Sequence, residues 1–95
     1  MPLERGHIIR YNNDRMTFEF TMTDVRGKIV DCKISSTAMD QLAGMKGTIP
    51  SEREDQFLRL RDEIERIASD LFERAKPKPV HLIHIFHHHI RGGYE

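Results

Sequence analysis

A chain of 95 residues has room for one hydrophobic core, and its 38% hydrophobic content suffices to build it, which excludes a wholly disordered chain. Lys plus Arg equals Asp plus Glu at 15 each, so no net field draws the molecule to nucleic acid or to an anionic membrane, and either would need a local patch. The lone Cys32 excludes an intramolecular disulfide; with no apolar signal core in Met1 to Asn13 and no membrane-spanning run, the expected location is cytoplasmic, with no membrane partner.

A short strand is expected around Ile8 to Tyr11, closed by Asn12-Asn13-Asp14. From Met16 to Met22 the residues alternate strictly, placing Met16, Phe18, Phe20 and Met22 on one face and Thr17, Glu19 and Thr21 on the other. Thr23 to Gly27 has the length of a hairpin connection, and Lys28 to Ile34 then offers Val30, Cys32 and Ile34 to one side, so these two strands are predicted to pair antiparallel. Ser35 or Ser36 suits the N-cap of a short helix through Ala38, Met39, Leu42 and Ala43, which Gly44 ends. Gly44 to Pro50 reads as a loop. Its Gly44-Met45-Lys46-Gly47-Thr48 run lacks the spacing of a phosphate-binding loop and follows a helix instead of a strand.

Ser51-Glu52-Arg53-Glu54 has the form of a reciprocal capping box and opens a long helix. Phe57, Leu60, Ile64, Ile67 and Leu71 advance by three or four residues, and Ala68, Phe72 and Ala75 widen the stripe, which must dock on an apolar surface such as the sheet. Asp55 with Arg59, Asp62 with Arg66 and Asp70 with Arg74 are candidate i,i+4 ion pairs on the solvated side. Lys76-Pro77-Lys78-Pro79 stops the helix, because proline lacks an amide donor and biases its predecessor away from helical geometry. Val80 to Phe86 alternates again, with Val80, Leu82, His84 and Phe86 on one face and His81, Ile83 and Ile85 on the other, as a final strand would.

The expected architecture is therefore α+β: an antiparallel three- to four-stranded sheet with one short and one long helix packed on one face, in the order β-β-β-α-α-β. Residues 1–95 form a single domain, with the compact core over 7–86 and a histidine-containing tail over 87–95.

The run Gly27-Lys28-Ile29-Val30-Asp31-Cys32-Lys33-Ile34-Ser35, with Ala38 and Leu42 following, leads on to Phe57, Arg61, Ile64-Glu65, Ile67-Ala68 and Phe72-Glu73-Arg74. That arrangement resembles the small bacterial family catalogued as domain of unknown function 1488, over roughly residues 7–86. The resemblance implies a bacterial origin and a fold. It brings no activity and no functional residues, and the histidine-rich end of this chain departs from the family's pattern.

Five histidines at 81, 84, 87, 88 and 89 are the one compositional anomaly. In a continuing strand His87 and His89 would point the same way, and two imidazoles on one face chelate zinc, nickel or copper, although a structural site takes four ligands. Solvated imidazoles on a polar edge are the plainer reading. Cys32 alternates with Val30 and Ile34 and reads as a packed thiol, and neither Ser35 nor Ser36 sits in a nucleophile's context. Lys76, Lys78 and Arg91 flank an aromatic-bearing strand and are the nucleic-acid candidates, but one Arg-Gly unit in a charge-balanced chain makes nucleic acid a minor alternative. The heptad-like spacing of the long helix and the small core are compatible with self-association as a homodimer. The sequence thus points to a small non-catalytic binding or interaction module with no cofactor. Its partner is an unidentified protein or a second copy of itself; metal binding through His87 and His89, or weak nucleic-acid binding, are the alternatives.

Overall fold

The computed structural model of the chain describes residues 2–45, 47–76, 78 and 80–90. Four strands form one sheet in the order β1-β2-β3-β4, comprising β1 (Glu4–Asn12), β2 (Thr17–Thr23), β3 (Ile29–Ser35) and β4 (Leu82–Ile85). Helices α1 (Ser36–Ala43) and α2 (Arg53–Arg74) lie between β3 and β4 in the chain. The expected α+β class and element order hold, with one change in strand direction.

The period-2 pattern of Phe18, Phe20 and Met22 produces β2, and all three side chains are buried. Met16, expected on the same face, instead lies outside the strand in the left-handed region, with φ of 53° and a 57% exposed side chain. It is a turn residue whose carbonyl accepts from the Ser36 amide and hydroxyl, each at 2.9 Å, so its backbone is set by a contact 20 residues away.

β1 is longer than the expected Ile8–Tyr11 segment. Its pairing with β2 runs from Glu4 opposite Thr23 to Asn12 opposite Thr17 and shifts register twice, between Arg5 and Ile8 and again between Ile8 and Arg10. Such bulges break the alternation by which a strand is read from sequence. Gly6 sits at the first shift, where an added Cβ would lie 2.5 Å from the Thr21 carbonyl oxygen.

Ser35, extended at the N-cap of α1, accepts from the Ala38 amide at 3.1 Å, and Gly44 ends the helix in the left-handed conformation at φ 67°. The capping box over Ser51–Glu54 does not form. Pro50 opens a 3-10 turn over Pro50–Glu52 in which the Glu52 amide donates to the Ile49 carbonyl, and Glu52 precedes α2 with no side-chain cap. None of the three i,i+4 pairs expected on α2 forms among the described residues. Asp62 accepts from Arg5 of β1 at 2.6 Å, while Arg66 spans Glu63 and Asp70 at 2.8 and 3.3 Å. Exposed pairs gain so little that a tertiary partner readily displaces them.

β4 pairs with β3 in parallel, from Asp31 opposite Leu82 to Ile34 opposite Ile85, so the sheet is mixed and not antiparallel throughout. The 22-residue α2 supplies the reason: the helical segment spans the sheet and carries the chain back to the end where β3 began, as a crossover between parallel strands requires. The core lies between one sheet face and the helices. Phe57 of α2 stacks on Phe18 at 4.4 Å between centroids and tilts against Phe20 at 5.0 Å, with Ile64, Ile67 and Ala68 buried along the same stripe. Loss of a buried ring of this kind costs about 3–5 kcal/mol. Ile29 and Leu82 point outward at 63% and 55% exposure. Among the described residues no helix is long and apolar enough to cross a membrane.

Candidate functional site

The β2–β3 turn is built by one carboxylate. Asp24 accepts from the backbone amides of Arg26 and Lys28, both at 2.9 Å, and Gly27 adopts φ of 81° to close the loop. The amide of Lys28, then the amide of Arg26, hold the Asp24 carboxyl below its usual range, and the positive side chains of the same residues act in the same sense. With Asp24 engaged by the backbone, Arg26 and Lys28 extend into solvent.

Opposite this turn stand the end of α2 and the approach to β4. The His81 carbonyl accepts from the Asp31 amide at 2.8 Å and anchors that approach to β3. Between the two segments lies a cavity of about 510 Å³, within the usual range for small-ligand sites. Val30, Phe72 and Val80 give it an apolar floor, and Arg26, Lys28, Lys76, Lys78 and His81 stand around it. Lys76 reaches Glu73 at 3.3 Å, whereas Arg26, Lys28 and Lys78 make no ion pair among the described residues. The negative end of α2 is muted: Ala75 donates to the Leu71 and Phe72 carbonyls, Lys76 to that of Glu73 and Lys78 to that of Ala75.

The other concentrations of charge are occupied by the fold. Glu65, 3% exposed, accepts from Arg5 at 2.9 Å and from Arg61 at 3.0 Å, and Arg61 also donates to the Gly6 carbonyl, which ties α2 to the bulged end of β1. Arg53, 4% exposed, donates to Asp40 and to Gln56 at 2.7 Å, and Gln56 donates to Asp40 at 2.9 Å, joining the start of α2 to α1. Burial alone would raise the Asp40 carboxyl. The side chains of Arg53, Gln56 and Thr48, with the Arg53 charge, outweigh that and hold it below its ordinary value. Cys32 is the packed thiol its strand position suggests, with burial, then the charges of Asp31 and Glu65, pushing it up to about 12.

The histidine end has a different geometry from the one expected. β4 stops at Ile85, and His87–His89 form a 3-10 turn, so His87 and His89 do not alternate on a strand. The turn is closed locally: the His89 amide donates to the Phe86 carbonyl at 3.0 Å, and the Phe86 amide donates to His89 Nδ1 at 2.9 Å, which takes that nitrogen from a metal. Desolvation, followed by the charges of His88 and Arg74, lowers the His89 pKa. His88 and His89 edge a separate groove with Leu42, Ile67 and Asp70, and among the described residues no three His, Cys, Asp or Glu side chains are grouped to hold a metal ion.

Of the residues singled out from sequence, Lys76 and Lys78 fall at the cavity, His87 and His89 lie apart from it, and Arg91 is outside the described residues. Arg26, Lys28, Phe72 and Val80 were not selected as site residues. The only sequence signal for them is a surplus of cations in two segments about 50 positions apart, which nothing local connects.

Comparison with known proteins adds fold and family. A crystal structure of a protein of unknown function from the DUF1488 family of Shewanella loihica PV-4 superposes with a TM-score of 0.72 at 20% identity, covering 88% of this chain and 91% of that one. No functionally curated protein matches. The model of the family described as "Protein of unknown function (DUF1488)" matches residues 6–84, from β1 into β4, and the chain belongs to that family.

Proposed function

We propose that this protein is a small non-catalytic binding module of the bacterial cytoplasm, and that it takes its ligand in the cavity between the β2–β3 turn and the end of α2. One observation carries the reading: in a chain with no net charge, four cationic side chains from two distant segments surround one cavity with an apolar floor. Two carboxylates with little exposure are engaged elsewhere, Glu65 between Arg5 and Arg61 and Asp40 with Arg53. The nucleic-acid candidates Lys76 and Lys78 line this same cavity, whose size suits a small ligand.

Chemical-shift mapping with a small-fragment mixture tests this. Fragments are expected to move the amides of Val30, Phe72, Val80 and His81, and Val80→Trp, which fills the cavity, should abolish those shifts while leaving the α1 amides in place. Fragments that perturb only other surfaces would relocate the site.

A further inference from the structure

We infer that the ligand is a small organic anion with an apolar body, its carboxylate or phosphate held by the Arg26, Lys28, Lys76 and Lys78 side chains and its body laid on Val30, Phe72 and Val80. This rests on the reading that the cavity is the binding site, and adds the chemical class of what enters it.

The charge balance is the first support. Asp24 and the Glu73 partner of Lys76 are the acids next to the four cations, which leaves two positive charges in excess at the cavity while the whole chain sums to zero. The Asp24 carboxylate, which would compete with an arriving anion for these cations, is already held in the turn by the Arg26 and Lys28 amides. The carbonyls ending α2 repel an anion less than bare ones would, since those of Leu71, Phe72 and Glu73 each accept an amide from within the chain. Three of the cations, Arg26, Lys28 and Lys78, form no ion pair among the described residues, so an incoming anion reaches them without first breaking one.

The floor is the second support. Phe72 and Val80 are half-buried and offer the apolar surface, backed by Val30 of β3, which is itself buried. A bare inorganic ion would leave this surface unused, whereas an apolar body gains from covering it, at about 25 cal/mol per Å² removed from water. Charged side chains around an apolar base therefore match a ligand with one charged end.

The test compares three probes on the isotope-labelled full chain: octanoate, octyltrimethylammonium, which carries a similar tail with the opposite charge, and inorganic phosphate. Octanoate is expected to shift the amides of Arg26, Lys28, Val30, Lys78 and His81 saturably and more tightly than either other probe. Lys28→Glu combined with Lys78→Glu, both at exposed positions, should weaken it by about tenfold or more with an unchanged melting temperature. If octyltrimethylammonium binds at the same amides as well as octanoate, the anion class is overturned while the cavity remains the site. If phosphate alone matches octanoate, the apolar body is overturned. If fragments and all three probes leave these amides unmoved, the cavity reading itself falls.

Discussion

The buried charges of this small protein act as fasteners, and Asp40 shows it best. Its carboxylate collects Arg53 and Gln56 across the α1–α2 gap, and Arg53 has almost no contact with water. Asp40→Asn is expected to cost about 2–3 kcal/mol near neutral pH, since the guanidinium stays charged and loses its counterion. The pH dependence has a definite sign. Because folding lowers this carboxyl from its ordinary 3.8, its contribution is complete above that value and is lost as the pH falls through the folded one. Urea unfolding of the parent and of Asp40→Asn should therefore differ most near neutrality, with the gap narrowing as the pH falls below 3.8. A gap that widens in acid would contradict the assignment.

Among the elements, β1 depends most on a single position. The strand carries two register shifts, and Gly6 lets its backbone approach Thr21 where a methyl group would meet the carbonyl oxygen at 2.5 Å. The same segment receives Arg61 from α2 on the Gly6 carbonyl at 3.2 Å, so sheet edge and long helix are joined there. Gly6→Ala is expected to destabilise the chain by about 1–3 kcal/mol, measured by chemical denaturation, and to weaken amide protection in β1 ahead of β3. Equal protection across both strands in that variant would show that the bulge tolerates a side chain. β1 was only partly legible beforehand for the same reason. Bulges destroy the period-2 signal, while the unbroken β2, β3 and α2 announce themselves through Phe18, Phe20, Val30, Ile34, Phe57 and Ile64.

At the scale of the molecule, Cys32 reports on the integrity of the whole core. It lies on β3, flanked by β2 and β4, 2% exposed, with its thiol pushed up to about 12 chiefly by burial. A disulfide reagent at neutral pH should find it at least about a thousandfold less reactive than in denaturant, with the rate following global unfolding. Rapid labelling of the native chain would mean that β4 detaches from β3 on its own.

What the sequence determined by itself is local. Alternation specified β2, β3 and β4, a three-four stripe specified α2, and Ser35 and Gly44 bounded α1, because each of these depends on neighbours within a few residues. Tertiary structure alone decided the rest: the parallel direction of β4, the pairing of Asp62 with Arg5 in place of Arg66, the turn that takes His87 and His89 off a strand, and the meeting of Arg26 and Lys28 with Lys76 and Lys78. Each of those joins segments, or orients a chain end, according to how α2 spans the sheet and what it packs against. No periodicity or spacing along the chain encodes that, because the free energy that selects it comes from burying one shared core.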